Sequence, residues 1–328
     1  GALRGRKAAT PLLATAGGMI GPIAVYLALA ALLGSDTYDA VAGGWAIPTA
    51  TDIALAYVAG RMIFGAGHPA LRFLLLLAIA DDAGGLLILA LFYPAEALAP
   101  AWLLLSVLAA FITYLGFNWL PRVLDRGDQT RPRSTWVRLR LSWYPYAVAG
   151  LVSLFAFTQS GLHPALGLLP IIPALPHADR AFGLFAEAEK HLHDVLNEAE
   201  HALQIPVEIV LFLFGLVNAG VVVTAMGAPT WPVFAGLVIG KPLGIALMGL
   251  VAARLLGLGL PDGMRSADLV IVGLVAAIGF TVSLVFAAAA FDPGPVQDAA
   301  KLGTLLSLVA LPAALMAGRL LRVQKREA

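Results

Sequence analysis

The stretch L-L-L-L-A-I-A-D-D-A-G-G-L-L-I-L-A-L-F-Y, residues 74–93, decides how this chain is to be read. A run of about 20 apolar residues is long enough to cross a bilayer core as a helix. Asp81 and Asp82 stand together at its middle, at a depth where an aspartate costs at least ~2.5 kcal/mol. Two acids so placed point to a site rather than to structure. The rest of the chain must supply what neutralises them and what they handle.

Composition fixes the class. The chain is 60% hydrophobic and 12% charged, with a mean hydropathy of +0.87, whereas soluble domains are roughly 45–50% apolar and 25% charged. It reads as an all-α polytopic membrane protein. The net charge of +1 gives nucleic-acid binding no support. With no cysteine, disulfides, thiolate metal sites and thiol nucleophiles are excluded. No cofactor is expected. The first residues, with Arg4, Arg6 and Lys7, read as a basic cytoplasmic flank rather than a cleaved signal.

Working outward, apolar segments bounded by polar, Gly or Pro residues predict ten spans: 11–33, 45–64, 72–93, 101–120, 143–158, 162–175, 205–226, 231–257, 268–291 and 300–321. With ten, every Lys and Arg except Lys241 and Lys301 falls on or near one side, which the positive-inside rule makes cytoplasmic. Both termini are then cytoplasmic. Fusing 143–158 with 162–175 would put the basic C-terminal cluster outside. Residues 181–203 carry Phe185, Leu192, Leu196, Ala199 and Leu203 on one stripe and acids off it, predicting an amphipathic surface helix. His191, His193 and His201 cluster there, so it is either a plain connector or a proton-responsive surface.

The ionisable residues well inside expected spans are Asp52, Asp81, Asp82 and Lys241, with Glu208 near a span end. Pairing makes buried charge tolerable. Adjacent side chains point about 100° apart on a helix, so one aspartate is expected to face Lys241 and the other a water-filled cavity. A carboxylate that holds either a proton or a small hard cation, but not both, is a competitive exchanger, and oxygen ligands suit Na⁺ or Li⁺.

Asp52 follows W-A-I-P-T-A-T, where Pro48 removes a backbone donor and Thr49 and Thr51 offer hydroxyls to the freed groups. A broken helix is expected there. A second is expected in A-I-G-F-T-V-S-L, residues 277–284, with Gly279, Thr281 and Ser283. The two lie in the middle spans of the first and last three-span groups. That placement predicts two inverted three-helix repeats with crossed discontinuous helices: residues 1–93 and 231–328, flanking middle spans in 94–230.

At these residues the sequence resembles the NhaA-type sodium/proton antiporter family. The matching stretches are G-W-A-I-P-T-A-T-D-I-A (44–54), L-A-I-A-D-D-A-G (77–84), S-G-L-H-P-A-L-G (160–167), E-H-A-L (200–203), N-A-G-V (218–221), G-K-P-L-G-I (240–245) and G-F-T-V-S-L (279–284). The resemblance implies electrogenic, pH-responsive Na⁺ (or Li⁺) for H⁺ exchange in a bacterial inner membrane. Asp82 would be the direct cation ligand, Asp81 the partner of Lys241, and Thr51, Gly279, Thr281 and Ser283 the polar groups of the broken helices. Asp52 and Lys241 would offset helix-end dipoles, and Glu200 and His201 would belong to the pH response. Membrane lipid and a homodimer are the implied partners. The match starts where the family's third span would, so two leading spans, with their hairpin for dimer contact, are expected to be absent, which weakens the dimer expectation.

Two rival readings stay open at this stage. A sodium-coupled organic-solute symporter could share the architecture. An intramembrane enzyme is disfavoured because Asp81–Asp82 has neither a G-x-G-D context nor an acid one turn away, and His163 has no evident nucleophile to serve.

Overall fold

A computed structural model describes residues 9–93, 99–126, 132–176 and 195–326. Among the described residues there is no strand, and fifteen α-helices follow one another. They are α1 (Ala9–Leu32), α2 (Ser35–Val41), α3 (Ile53–Phe64), α4 (Pro69–Phe92), α5 (Leu103–Tyr114), α6 (Leu120–Leu124), α7 (Pro132–Trp136) and α8 (Tyr144–Gln159). After these come α9 (Val195–Asn218), α10 (Thr230–Ala235), α11 (Lys241–Leu250), α12 (Ser266–Ala276), α13 (Thr281–Ala290), α14 (Pro295–Leu306) and α15 (Ala310–Leu320).

Short π and 3₁₀ turns weld some of these into longer rods. The π turn Gly236–Gly240 joins α10 to α11, and the 3₁₀ turn Ser307–Val309 joins α14 to α15. Among the described residues six helices are then long and apolar enough to cross a membrane: Ala9–Leu32, Pro69–Phe92, Pro100–Leu124, Glu198–Asn218, Thr230–Leu255 and Pro295–Leu320. Two bent pairs raise the number to eight: Pro132–Leu141 with Tyr144–Gln159, and Ser266–Ala276 with Thr281–Ala290. The chain is an integral membrane protein.

Proline explains where the expected spans lose their regularity. In 45–64, the 3₁₀ turn Ile47–Thr49 with Pro48 at its centre gives way to extended backbone at Ala50, and helix resumes only at α3. In 162–175 the chain forms the 3₁₀ run Pro164–Ala174, with Pro170 and Pro173 inside. At about 2.0 Å per residue, such a run reaches about 22 Å where an α-helix of equal length would reach about 16 Å. Another boundary differs more. Helix is not interrupted near residue 204: α9 continues through Pro206 and stops at Asn218, eight residues before the expected end. Proline is tolerated inside membrane helices, so Pro206 alone does not separate a surface helix from a span. The remainder of the expected amphipathic helix, with His191 and His193, lies outside the described residues.

The chain divides into two compact units, residues 1–88 with 213–328 and residues 89–212. The first holds a continuous apolar core of Phe64, Phe73, Leu77, Ile245, Leu269 and Val275, contributed by α3, α4, α11 and α12, with Ala310 and Ala314 from α15. Within it α1 and α11 pack in extensive contact. A Cβ at Gly17 would overlap the Gly244 carbonyl, and one at Gly21 would overlap that of Gly240, so only glycine permits the approach. Helices in lipid gain little from apolar burial and depend on close backbone packing of this kind. In the second unit, α5 packs on α8 and on the 3₁₀ run Pro164–Ala174, and Leu104, Phe111 and Leu151 face outward, as lipid-facing side chains do.

Candidate functional site

The site is built where the two interruptions of the first unit meet. Leaving helix at 50–52 and at 277–280 frees backbone groups that must find partners at membrane depth. Some of them satisfy each other: the Asp52 N–H donates to the Ile278 carbonyl at 2.7 Å. Others are met by side chains. Asp52 is the N-cap of α3, its Oδ1 accepting the Leu55 N–H at 2.9 Å. Its Oδ2 accepts the Thr281 N–H at 3.1 Å and the Thr281 hydroxyl at 2.9 Å, at the start of α13. One carboxylate thus serves the positive N-terminal ends of two helices, the favourable sign for a helix dipole.

The opposite ends meet donors. The Lys241 ammonium donates to the Thr49 carbonyl, at the C-terminal end of the turn Ile47–Thr49. It also pairs with Asp81 Oδ2 at 2.9 Å, and both side chains are 0% exposed. Thr51 Oγ1 lies 2.8 Å from Asp81 Oδ2 and 3.1 Å from the carbonyl of Ala276, the last residue of α12. A hydroxyl has one proton to give, so Thr51 divides it between the carboxylate and the helix end. Carbonyl ends therefore face an ammonium and a hydroxyl, and N–H ends face a carboxylate.

On α4, Asp81 and Asp82 diverge. Asp81 Oδ2 is engaged by Lys241 and Thr51, while Asp81 Oδ1 and Asp82 Oδ1 are buried oxygens with no hydrogen-bond partner. Gly18 of α1 faces Asp81: even a Cβ there would stand 3.9 Å from Asp81 Oδ1. Ser283 Oγ on α13 is likewise buried and without a partner. Unengaged acceptor oxygens of this kind have the chemistry to take a hard cation or a proton. Among the described residues no group of three or more His, Asp or Glu could hold a resident metal ion.

The structure therefore brings together Asp52, Thr51, Asp81 and Lys241 with Thr281, and places the Gly279 N–H 3.3 Å from the Ser307 hydroxyl, which caps the second interruption from the turn between α14 and α15. Asp82 adjoins this group along α4. Glu200 and His201 are exposed on α9, in the other unit. Sequence reasoning missed Ser307, the Thr49 carbonyl and the glycine contact of α1 with α11. The last had a readable signal, the run Gly236, Gly240 and Gly244 at four-residue spacing, which is the small-residue pattern of close helix pairs.

Comparison with known proteins bears on the same residues. The family model described as Na+/H+ antiporter 1 matches residues 1–321. The chain belongs to this family. Among the curated relatives, the Na(+)/H(+) antiporter NhaA of Jannaschia sp. (strain CCS1) is 67% identical over 327 residues, covering 100% of this chain and 78% of the relative. The Na(+)/H(+) antiporter NhaA of Geotalea uraniireducens (strain Rf4) is 45% identical over 323 residues, covering 98% and 78%. That of Desulfitobacterium hafniense (strain DSM 10664 / DCB-2) is 44% identical over 325 residues, covering 98% and 77%. The antiporter family match thus spans nearly all of the chain, both interruptions and the aspartate pair included.

Proposed function

We propose that this chain is a secondary transporter, not an enzyme, and exchanges Na⁺ or Li⁺ for H⁺. Family membership and the names of the relatives support the exchange itself. The observation that carries the assignment of the site is the fully buried Lys241–Asp81 pair, with a second acid, Asp82, next in the chain. Asp82 binds the cation or the proton in turn. Asp81 shares the task while tethered to Lys241, and its unengaged Oδ1 stands ready as a second ligand.

The competition is elementary. A carboxylate holding Na⁺ cannot keep its proton, and one holding a proton has lost the charge that attracts Na⁺. Thr51 and Ser283 supply further oxygens near the meeting point of the interruptions, and Asp52 and Lys241 hold the helix ends there. In this reading the chain crosses the membrane ten times, the short or irregular segments 45–64 and 162–175 counting as spans. Residues 1–93 and 231–328 form inverted repeats with crossed broken helices on either side of middle spans in 94–230. Exchange is electrogenic and pH-responsive, with Glu200 and His201 contributing. The protein sits in a bacterial inner membrane with both termini cytoplasmic, surrounded by lipid.

Everted vesicles with a preformed pH gradient test the core of this. Addition of Na⁺ or Li⁺ collapses the gradient when the chain is present, and Asp82→Asn abolishes the collapse. An undiminished response in Asp82→Asn would overturn the site assignment. Solute-dependent sodium uptake without proton release would overturn the exchange.

A further inference from the structure

Residues 276–281, where α12 gives way to α13, meet other elements through several polar groups. The Ala276 carbonyl lies 3.1 Å from the Thr51 hydroxyl. The Ile278 carbonyl accepts the Asp52 N–H at 2.7 Å, and the Thr281 N–H and hydroxyl donate to Asp52 Oδ2. These contacts come from residues 51 and 52, in the facing interruption. The Gly279 N–H is met from a different element: it donates to Ser307 Oγ at 3.3 Å. Ser307 opens the 3₁₀ turn between α14 and α15 and is 0% exposed. Its hydroxyl reaches across to another segment, whereas that of Thr304, one turn earlier and equally buried, donates to Ala300 within its own helix.

What the Gly279 N–H would do without that acceptor is set by its other neighbour. Gly279 is buried, and a Cβ built on it would stand 2.5 Å from Ser283 Oγ. Ser283, in the first turn of α13, is itself fully buried, and its Oγ has no hydrogen-bond partner. A buried N–H seldom stays unpaired when an acceptor is in reach. Ser307 and Ser283 are thus alternative acceptors for one N–H. Held by Ser307, that N–H leaves both lone pairs of Ser283 Oγ open. Released, it takes one of the two that a hydroxyl oxygen has, and less remains for a cation.

We propose that Ser307 is a positioning residue for cation binding: by holding the Gly279 N–H it keeps Ser283 Oγ free to coordinate Na⁺ or Li⁺. Ser307 does not touch the ion, and its effect runs through Gly279 to Ser283, so this role rests on the exchange site proposed above. Oxygen is the donor atom that small hard cations take, and a hydroxyl adds a neutral ligand beside the carboxylates without adding charge. The backbone at 279 has to come close for the arrangement to work. A side chain there would push Ser283 Oγ aside, so glycine is what lets the two lie together.

Titration with Na⁺ tests this in everted vesicles held at one pH. Ser307→Ala should raise the Na⁺ concentration for half-maximal collapse of the pH gradient several-fold and leave the response at saturating Na⁺ unchanged. Ser283→Ala should raise it by a similar factor. Because the two act through one oxygen, Ser307→Ala combined with Ser283→Ala should be no worse than Ser283→Ala alone, which is the non-additivity expected of coupled residues. Ser307→Thr keeps the acceptor and should match the parent. Thr304→Val, which removes a buried hydroxyl bonded within its own helix, should match it too. A second readout needs no transport: in detergent, Na⁺ should raise the melting temperature of the parent by binding the folded form, and the concentration giving half of that rise should shift in the same order. Where Ser307→Ala yields no folded protein, Ser307→Cys, whose sulfur is a weaker acceptor, should fall between the parent and Ser283→Ala. An unchanged half-saturation in Ser307→Ala or Ser307→Cys, or a double variant in which the two factors multiply, would overturn the role of Ser307. Parent vesicles that ignore Na⁺ would count against exchange itself and leave the melting series to decide for or against Ser307. A parent whose melting also ignores Na⁺ would overturn both.

Discussion

At the scale of single residues, Lys241 and Asp81 depend on each other. Both lie out of reach of water, and removing one member of such a pair leaves an uncompensated charge, a loss of about 3–5 kcal/mol. Lys241→Ala should therefore lower the melting temperature in detergent clearly, and Lys241→Met combined with Asp81→Asn should recover most of the loss. Equal melting of Lys241→Ala and the parent would refute the dependence. Asp52 has a different task, since it accepts from Leu55, the Thr281 N–H and the Thr281 hydroxyl. Thr281→Val removes the hydroxyl alone, about 1.5–3 kcal/mol for a hydrogen bond to a charged group. Its melting should shift less than that of Lys241→Ala, an order that thermal denaturation can reverse if the assignment is mistaken. The charged members of the site were readable because ionisable side chains inside apolar runs are rare. The Thr49 carbonyl was not, because a backbone acceptor leaves no trace in sequence.

At the scale of elements, the two interruptions had unequal signals. Pro48 announces the first by removing a donor and fixing its own φ. The second has no proline; Gly279 and Thr281 are ordinary in membrane helices, and it was their place in the middle of the last three-span group that singled them out. Its closure depends on Ser307, 28 residues away in sequence, a distance that no local pattern reveals. The α1–α11 contact was legible in the spacing of Gly236, Gly240 and Gly244. At Gly244 the obstructing atom is backbone, the Gly17 carbonyl, so no rotamer change relieves an added side chain. Gly244→Ala should lower stability by at least about 1–3 kcal/mol, the usual range for overpacking, and Gly244→Leu should abolish recovery of folded protein. Fluorescence-detected size exclusion and melting read both, and an unaltered Gly244→Ala protein would contradict the contact.

At the scale of the whole molecule, composition was enough to name a membrane protein, and the number of crossings was not. A length-and-hydropathy rule recognises six unbroken helices and two bent pairs among the described residues, fewer than the ten apolar segments of the sequence. The difference lies in 45–64, interrupted at the site, and 162–175, wound as a 3₁₀ run by Pro170 and Pro173. Apolarity decides what can sit in lipid, whereas backbone chemistry decides whether it is one helix. The proposal that exchange is electrogenic can be tested at this scale. Moving one net charge through a 100 mV potential is worth about 2.3 kcal/mol, so an imposed potential should speed exchange in one polarity and slow it in the other. Proteoliposomes with a potassium gradient and valinomycin provide the measurement, and a rate insensitive to polarity would mean electroneutral exchange.

The glycine contact also bears on how firmly Lys241 is held. Lys241 follows Gly240 directly, and the backbone of Gly240 lies against that of Gly21 and Pro22 in α1. Its root thus lies directly against the main chain of α1, with no side chain between them to yield. A lysine stem is long, but its end is held by the Thr49 carbonyl as well as by Asp81. Lys241 is therefore held at both ends, at its root by the packing of Gly240 on α1 and at its ammonium by the Thr49 carbonyl and Asp81. The ion pair thus ties α4, through Asp81, to the part of the chain whose backbone is packed most tightly.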